Sequence, residues 1–128
     1  MSRVIKFRFW NKKTKCMYAD TGLSSLGVND GLDLALEYGY EVMQYTGLKD
    51  KNRKEIFEGD IIEVPEDETF SQRTRLKKSF LDVVIFKHGS FEASKSDFGY
   101  EGEDVIHLNL CSVVGNIYEN PELLEREG

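Results

Sequence analysis

The chain opens on an alternation, with Ile5, Phe7 and Phe9 on one side of an extended segment and Lys6 and Arg8 on the other. A period of two with one apolar and one charged face predicts a strand from Val4 to Trp10 that is wet on its charged side. The polar run Asn11 to Lys15 breaks the pattern, and Cys16 to Asp20 reads as the returning arm of a hairpin. Glycines 22 and 27, two serines and the cluster Asn29-Asp30-Gly31 predict a loop over Asp20 to Gly31. In Leu32 to Tyr40 the leucines at 32, 34 and 36 fit a strand, whereas Leu32, Ala35, Leu36 and Gly39 fit a short helix capped by Asp30. Helix or strand over 31–40 stays open.

From Val42 onward strands and turns alternate closely. A strand runs into Thr46-Gly47, then come a turn at Asp50 to Arg53, a short strand at Glu55 to Phe57, a turn at Glu58 to Asp60, and a strand from Ile61 that ends at Pro65. Asn and Gly sit at the reversals because they tolerate left-handed backbone that most side chains resist. Glu66 to Lys78 is too charged to supply core and predicts a loop or long hairpin tip. Phe80 to Phe86 is an apolar, β-branched run suited to a buried strand, with a tight turn at His88-Gly89-Ser90 and a return at Phe91 to Ala93. Past another loop, Val105 to Leu110 and Ser112 to Tyr118 predict strands, with Gly115 at a bend. Asn120-Pro121-Glu122 combines a cap residue, proline at the first helical position and an acid in the first turn, so a short helix is expected there. The pattern as a whole predicts a mainly β (α+β) chain. An N-terminal hairpin and loop region occupies 1–42, and a small barrel or curled sheet occupies 43–128, carrying the charged insertion 66–78 and the C-terminal helix.

A length of 128 residues suits one core. With 40% hydrophobic and 31% charged residues the chain is too apolar for disorder, and no run approaches the roughly 20 apolar residues of a spanning helix. The start MSRVIKFRFW lacks the apolar centre and cleavage site of a secretory signal, so cytoplasmic residence is expected. Cys16 and Cys111 form no Cys-x-x-Cys pair and are expected to be reduced and buried. The net charge of -6 disfavours a phosphate backbone unless cations gather on one face. Charge is in fact segregated: the first fifteen residues hold six cations and no acid, and the end from Asp97 holds eight acids against Arg126. These are expected to be solvated faces that attract one another across the fold.

Candidate chemistry is sparse. Asp50, Glu55, Glu58 and Asp60 lie close together, but they lack the ladder spacing of a calcium loop and each adjoins a turn or strand edge. His88 falls in a turn and His107 in a predicted strand, and no Ser or Cys nucleophile has a motif around it. The glycines form neither a Walker loop nor GxGxxG. Trp10, Tyr18, Tyr45, Phe57, Phe91, Tyr100 and Tyr118 are expected mainly to pack a core rather than to form a stacking platform. No catalytic, cofactor-binding or metal-binding residue is expected. Arg73, Arg75, Lys77 and Lys78 form the candidate nucleic-acid contact.

Four segments taken together, IKFRFW at 5–10, MQYTGLKDKNRKEIFEGDII at 43–62, VVIFKHGSFE at 83–92 and VVGNIYENPELL at 113–124, resemble the YopX family of bacteriophage and prophage proteins. The resemblance runs in order over most of the chain. It implies a cytoplasmic phage protein with a C-terminal SH3-like barrel and no established catalytic residues. Arg53 departs from the glycine common in the family's Lys-Asn-Gly turn, which puts the turn type in question. The expected role is non-catalytic, through protein contacts or as a homo-oligomer whose strand edges pair between subunits; the alternative is a weak nucleic-acid-binding module using the basic loop and neighbouring aromatics.

Overall fold

The computed structural model describes residues 5–19, 37, 39–65, 79–96 and 106–125. The loop expected over Asp20 to Gly31, nearly all of the ambiguous segment after it and the insertion 66–78 lie outside the described residues.

Within them the chain is mainly β. β1 (Phe7–Asn11) and β2 (Cys16–Ala19) form the expected hairpin, whose turn is held by Asn11 Oδ1 accepting from the N–H groups of Lys13 and Thr14 at 2.9 and 3.3 Å. β3 (Glu41–Lys49) pairs antiparallel with β1 on one side and with β4 (Glu55–Phe57) on the other, giving a first sheet of order β2-β1-β3-β4. The second sheet contains β5 (Asp60–Val64), β6 (Phe80–Lys87), β7 (Ser90–Ala93) and β8 (Ser112–Asn116), in the order β7-β6-β5-β8. The β-rich assembly curls into a half-barrel.

Its core is a cluster of Ile56, Ile62, Val64, Val84, Ala93, Ile106, Leu108 and Cys111, with Phe80, Phe91 and Val113 packed against it. Alternation places these side chains inward: Val84 opposes Ala93 across the β6–β7 ladder, and Phe86 opposes Phe91 two residues further on the same face. The run Phe80 to Phe86 is therefore not uniformly buried as expected, since Val84 is fully covered while Phe86, at the end of the layer, is 55% exposed.

Three other expectations are corrected. Val105 to Leu110 is not a strand over its described part: Leu108–Leu110 is a 310 helix, closed by Leu110 N–H to His107 C=O and Cys111 N–H to Leu108 C=O, both 3.0 Å. The turn buries Leu108 and Cys111 and leaves Leu110 outside, which a strict period of two does not allow. The last strand stops at Asn116 instead of Tyr118, because Asn116 Oδ1 accepts from the N–H groups of Tyr118 and Glu119 at 3.0 and 2.8 Å and turns the chain. Cys16 is exposed and only Cys111 is buried, both as free thiols; burial, with Asp82 nearby, pushes the Cys111 thiol up to about 11.

Gly115 does mark an irregularity, a register shift in the β5–β8 ladder. A Cβ there would lie 2.6 Å from Asn120 Oδ1, so glycine makes room for that side chain. Asn120 Oδ1 accepts the Asn116 N–H at 3.2 Å, and the Leu123 N–H goes to the Asn120 backbone carbonyl at 3.1 Å. The expected side-chain cap of the terminal helix, α1 (Glu122–Glu125), is thus spent on β8.

Candidate functional site

Two exposed large apolar side chains, Leu48 and Phe86, line a groove between β3 and the β6–β7 hairpin. Gln44 to Leu48 form one wall and Phe86, Gly89, Ser90 and Phe91 the other, enclosing about 500 Å3. Phe86 and Phe91 meet edge to face at 5.0 Å, Tyr45 leans on Phe57 at 5.5 Å, and Leu48 is 44% exposed. Local chemistry explains the hairpin: His88 at φ 52° and Gly89 at φ 82° are both left-handed, as a two-residue primed turn between Lys87 and Ser90 requires. That geometry directs the backbone groups of Ser90, Glu92 and Ser94 toward β6, shown by Ser94 N–H on Val83 C=O at 2.8 Å, and those of Phe91 outward. β7 is the edge of its sheet.

The four acids near Asp50 divide by environment. Asp50 is 5% exposed and organises its turn: Oδ1 accepts from Asn52 and Lys54 N–H, and Oδ2 from Val113 N–H, each at 2.8 Å. Burial opposes its charge, but these three donors and the Lys54 charge outweigh it and hold the carboxyl below the usual carboxylate range. Asp60, 1% exposed, forms an ion pair with Arg8 and accepts the Phe57 N–H at 2.8 Å. Burial dominates there and raises its pKa despite Arg8. Arg8 lies 4.6 Å over the Phe57 ring and donates to Met43 Sδ at 3.4 Å, so the face of β1 expected to be wet is sealed by the β4–β5 turn. Glu55 pairs with Lys6. Among the described residues no cluster of three or more His, Cys, Asp or Glu is placed to hold a metal ion.

The segregated charges meet across a cleft of about 550 Å3. Lys12 and Lys15 face Glu119 and Glu122, with Trp10 and Tyr118 stacked at 5.8 Å between them. Lys12 itself pairs with Glu41 at 2.6 Å. Burial, with Glu41 and Glu58 nearby, raises the Tyr118 pKa. Of the aromatics singled out from sequence, Tyr18 stacks on Tyr40 at 6.1 Å and is partly exposed, whereas Trp10 and Tyr45 are buried, so the rings are paired rather than aligned as an open platform. Tyr100 and the candidate nucleic-acid contact Arg73, Arg75, Lys77 and Lys78 lie outside the described residues. His88 is a turn residue, and His107 immediately precedes the 310 helix rather than lying in a strand.

Two surfaces escaped the sequence reading. Phe86 reads as core because its strand is apolar, and Leu48 lies just past the strand expected up to Gly47; the available signal was the position of Phe86 at the hairpin end, past the β5 pairing that stops at Val83. The second is the basic tip of the Asp50 turn, hidden because the acids drew the chemistry; Asp two residues before Asn in a turn is the Asx pattern that points the carboxylate inward.

The family model described as YopX protein matches residues 6–125. Among solved structures, protein EF1440 from Enterococcus faecalis is similar, with a TM-score of 0.61 and 25% identity, covering 96% of this chain and 99% of that one. No curated protein matches. No helix among the described residues is long and apolar enough to cross a membrane.

Proposed function

This chain belongs to the YopX family, and on that premise we propose that it is a phage- or prophage-encoded, non-catalytic protein of the host cytoplasm that works by self-association. One observation carries the reading: the edge strand β7 presents the outward backbone of Phe91 beside a groove walled by Leu48, Tyr45, Phe86 and Phe91. An edge next to exposed apolar surface is a template for strand pairing. Two copies related by a two-fold axis satisfy both features at once, because an antiparallel β7–β7 contact is self-complementary and brings the two grooves together. The SH3-like character of the barrel belongs to the same proposal. Its support is the order of β5 to β8, with the 310 helix immediately before the last strand.

The test is the mass in solution by light scattering across concentration, for the native chain and for Phe86→Lys. The native protein is expected as a multimer and Phe86→Lys as a folded monomer. A native chain that is monomeric throughout, or a variant with unchanged mass, overturns the proposal.

A further inference from the structure

We infer that the tip formed by Lys49 and the Asp50 to Lys54 turn is a contact surface for the phosphate backbone of a nucleic acid.

Four of the six residues from Lys49 to Lys54 are cationic, and Lys49, Lys51, Arg53 and Lys54 are all exposed. The one acid, Asp50, is turned inward, so its carboxylate faces the backbone rather than the solvent at the tip. The ion pairs among the described residues engage Lys6, Arg8 and Lys12, and none of the tip cations. Lys54 lies near enough to Asp50 and Asp60 to favour their charged forms, which leaves Lys49, Lys51 and Arg53 as the outward charges.

The tip is also rigid before any partner arrives. Asp50 N–H donates to Lys54 C=O at 2.8 Å, Arg53 N–H to Asp50 C=O at 2.9 Å, and Lys51 N–H to Cys111 C=O at 3.0 Å. Fixing the backbone of three cations in advance lowers the entropy lost on binding. Arg53 adds an independent observation. It holds φ at 67°, a conformation that glycine adopts freely and arginine only under strain. A strained backbone residue retained on a rigid scaffold is a pointer to function.

Nucleic acid fits this tip better than an acidic protein surface does. Residues 49–54 carry no apolar side chain, and protein interfaces draw their energy from buried aromatic and apolar anchors, whereas phosphate contacts need only cations and released counterions. In a chain of net charge -6, attraction to phosphate needs cations gathered on one face, and this tip gathers Lys49, Lys51 and Arg53.

The experiment is fluorescence anisotropy with a labelled 20-base-pair DNA duplex and a labelled single-stranded RNA, between about 50 and 200 mM salt. Three phosphate contacts give a slope of about -2.7 in log affinity against log salt on duplex DNA, so affinity is expected to fall about 40-fold over that range. Arg53→Gly, which relaxes the turn and leaves it folded, should reduce the slope by about 0.9, and Lys51→Ala with Arg53→Gly by about twice that. Thermal melts of the same variants verify the fold. No binding at the lower salt overturns the inference, as does a slope that both variants leave unchanged. Equal binding of a labelled polyglutamate peptide, weakened by the same variants, assigns the tip to an acidic protein partner and also overturns it. Phe86→Lys should leave the slope intact, which separates this inference from the self-association reading.

Discussion

At both the Asp50–Lys54 turn and the β6–β7 hairpin a residue with a full side chain sits in left-handed backbone, Arg53 at φ 67° and His88 at φ 52°. The hairpin solves the problem locally. Its second turn residue is Gly89, the loop has the two residues that a primed turn needs, and a Cβ at Gly89 would meet nothing within 4 Å. The other turn has no glycine and is held by a buried carboxylate that gathers three backbone N–H groups, one of them from β8. One turn is therefore specified by its own two residues and the other by tertiary structure, so they should respond differently to substitution.

The largest separation comes from Asp50→Ala. Three N–H groups lose their acceptor at about 1.5–3 kcal/mol each for bonds to a charged group, and because Asn52 and Lys54 are exposed and can turn to water the low end applies, a loss of about 4–5 kcal/mol read from urea unfolding. The same residue carries a pH signature. Its folded pKa is held below 3.8, so its contribution is complete above that value and is lost as pH falls through the lowered one. The stability gap between the native chain and Asp50→Asn should accordingly shrink on acidification. Asp60, raised by burial, acts in the opposite direction in both proteins and cancels from that difference.

Gly89→Ala tests the local turn. With open space around it, the penalty is the backbone alone, about 1–2 kcal/mol by chemical denaturation. Arg53→Gly should move the other way and stabilise the protein by about 0.5–1 kcal/mol, since relief of strain exceeds the added entropy of the unfolded chain. His88→Asn is the smallest effect, a gain of a few tenths of a kcal/mol in the same assay, because Asn tolerates left-handed backbone better than histidine. A loss of stability in Arg53→Gly would show that the arginine side chain, and not the Asp50 carboxylate, holds its turn.

The contrast also marks what was legible in the sequence. β1, β2, the turns and the β6–β7 hairpin follow from alternation and turn chemistry, and four segments from 5–10 to 113–124 together carried the family. The 310 helix at Leu108 was not legible, since Ile106, Leu108 and Leu110 have strand spacing and only tertiary packing separates buried Leu108 from exposed Leu110. Arg8 read as solvent-facing because its partner Asp60 is 52 residues away. For the same reason the groove was invisible: its walls come from β3 and from the β6–β7 hairpin, and exposure at Leu48 and Phe86 depends on where the two sheets stop covering each other. The role of Asp50 was half legible, its local bonds being an Asx pattern and its bond to Val113 lying beyond any local rule.

That last bond spans 63 residues, and it divides the carboxylate's work in time. During synthesis the acceptor sites for Asn52 and Lys54 become useful as soon as the turn clears the ribosome, while the site for Val113 waits until a strand 63 residues further on has followed. Until then one oxygen of Asp50 stays hydrated and the turn is only partly fastened. Capture of Val113 brings the last strand of the second sheet against a turn that extends from the first, so a single side chain reports that the chain has closed.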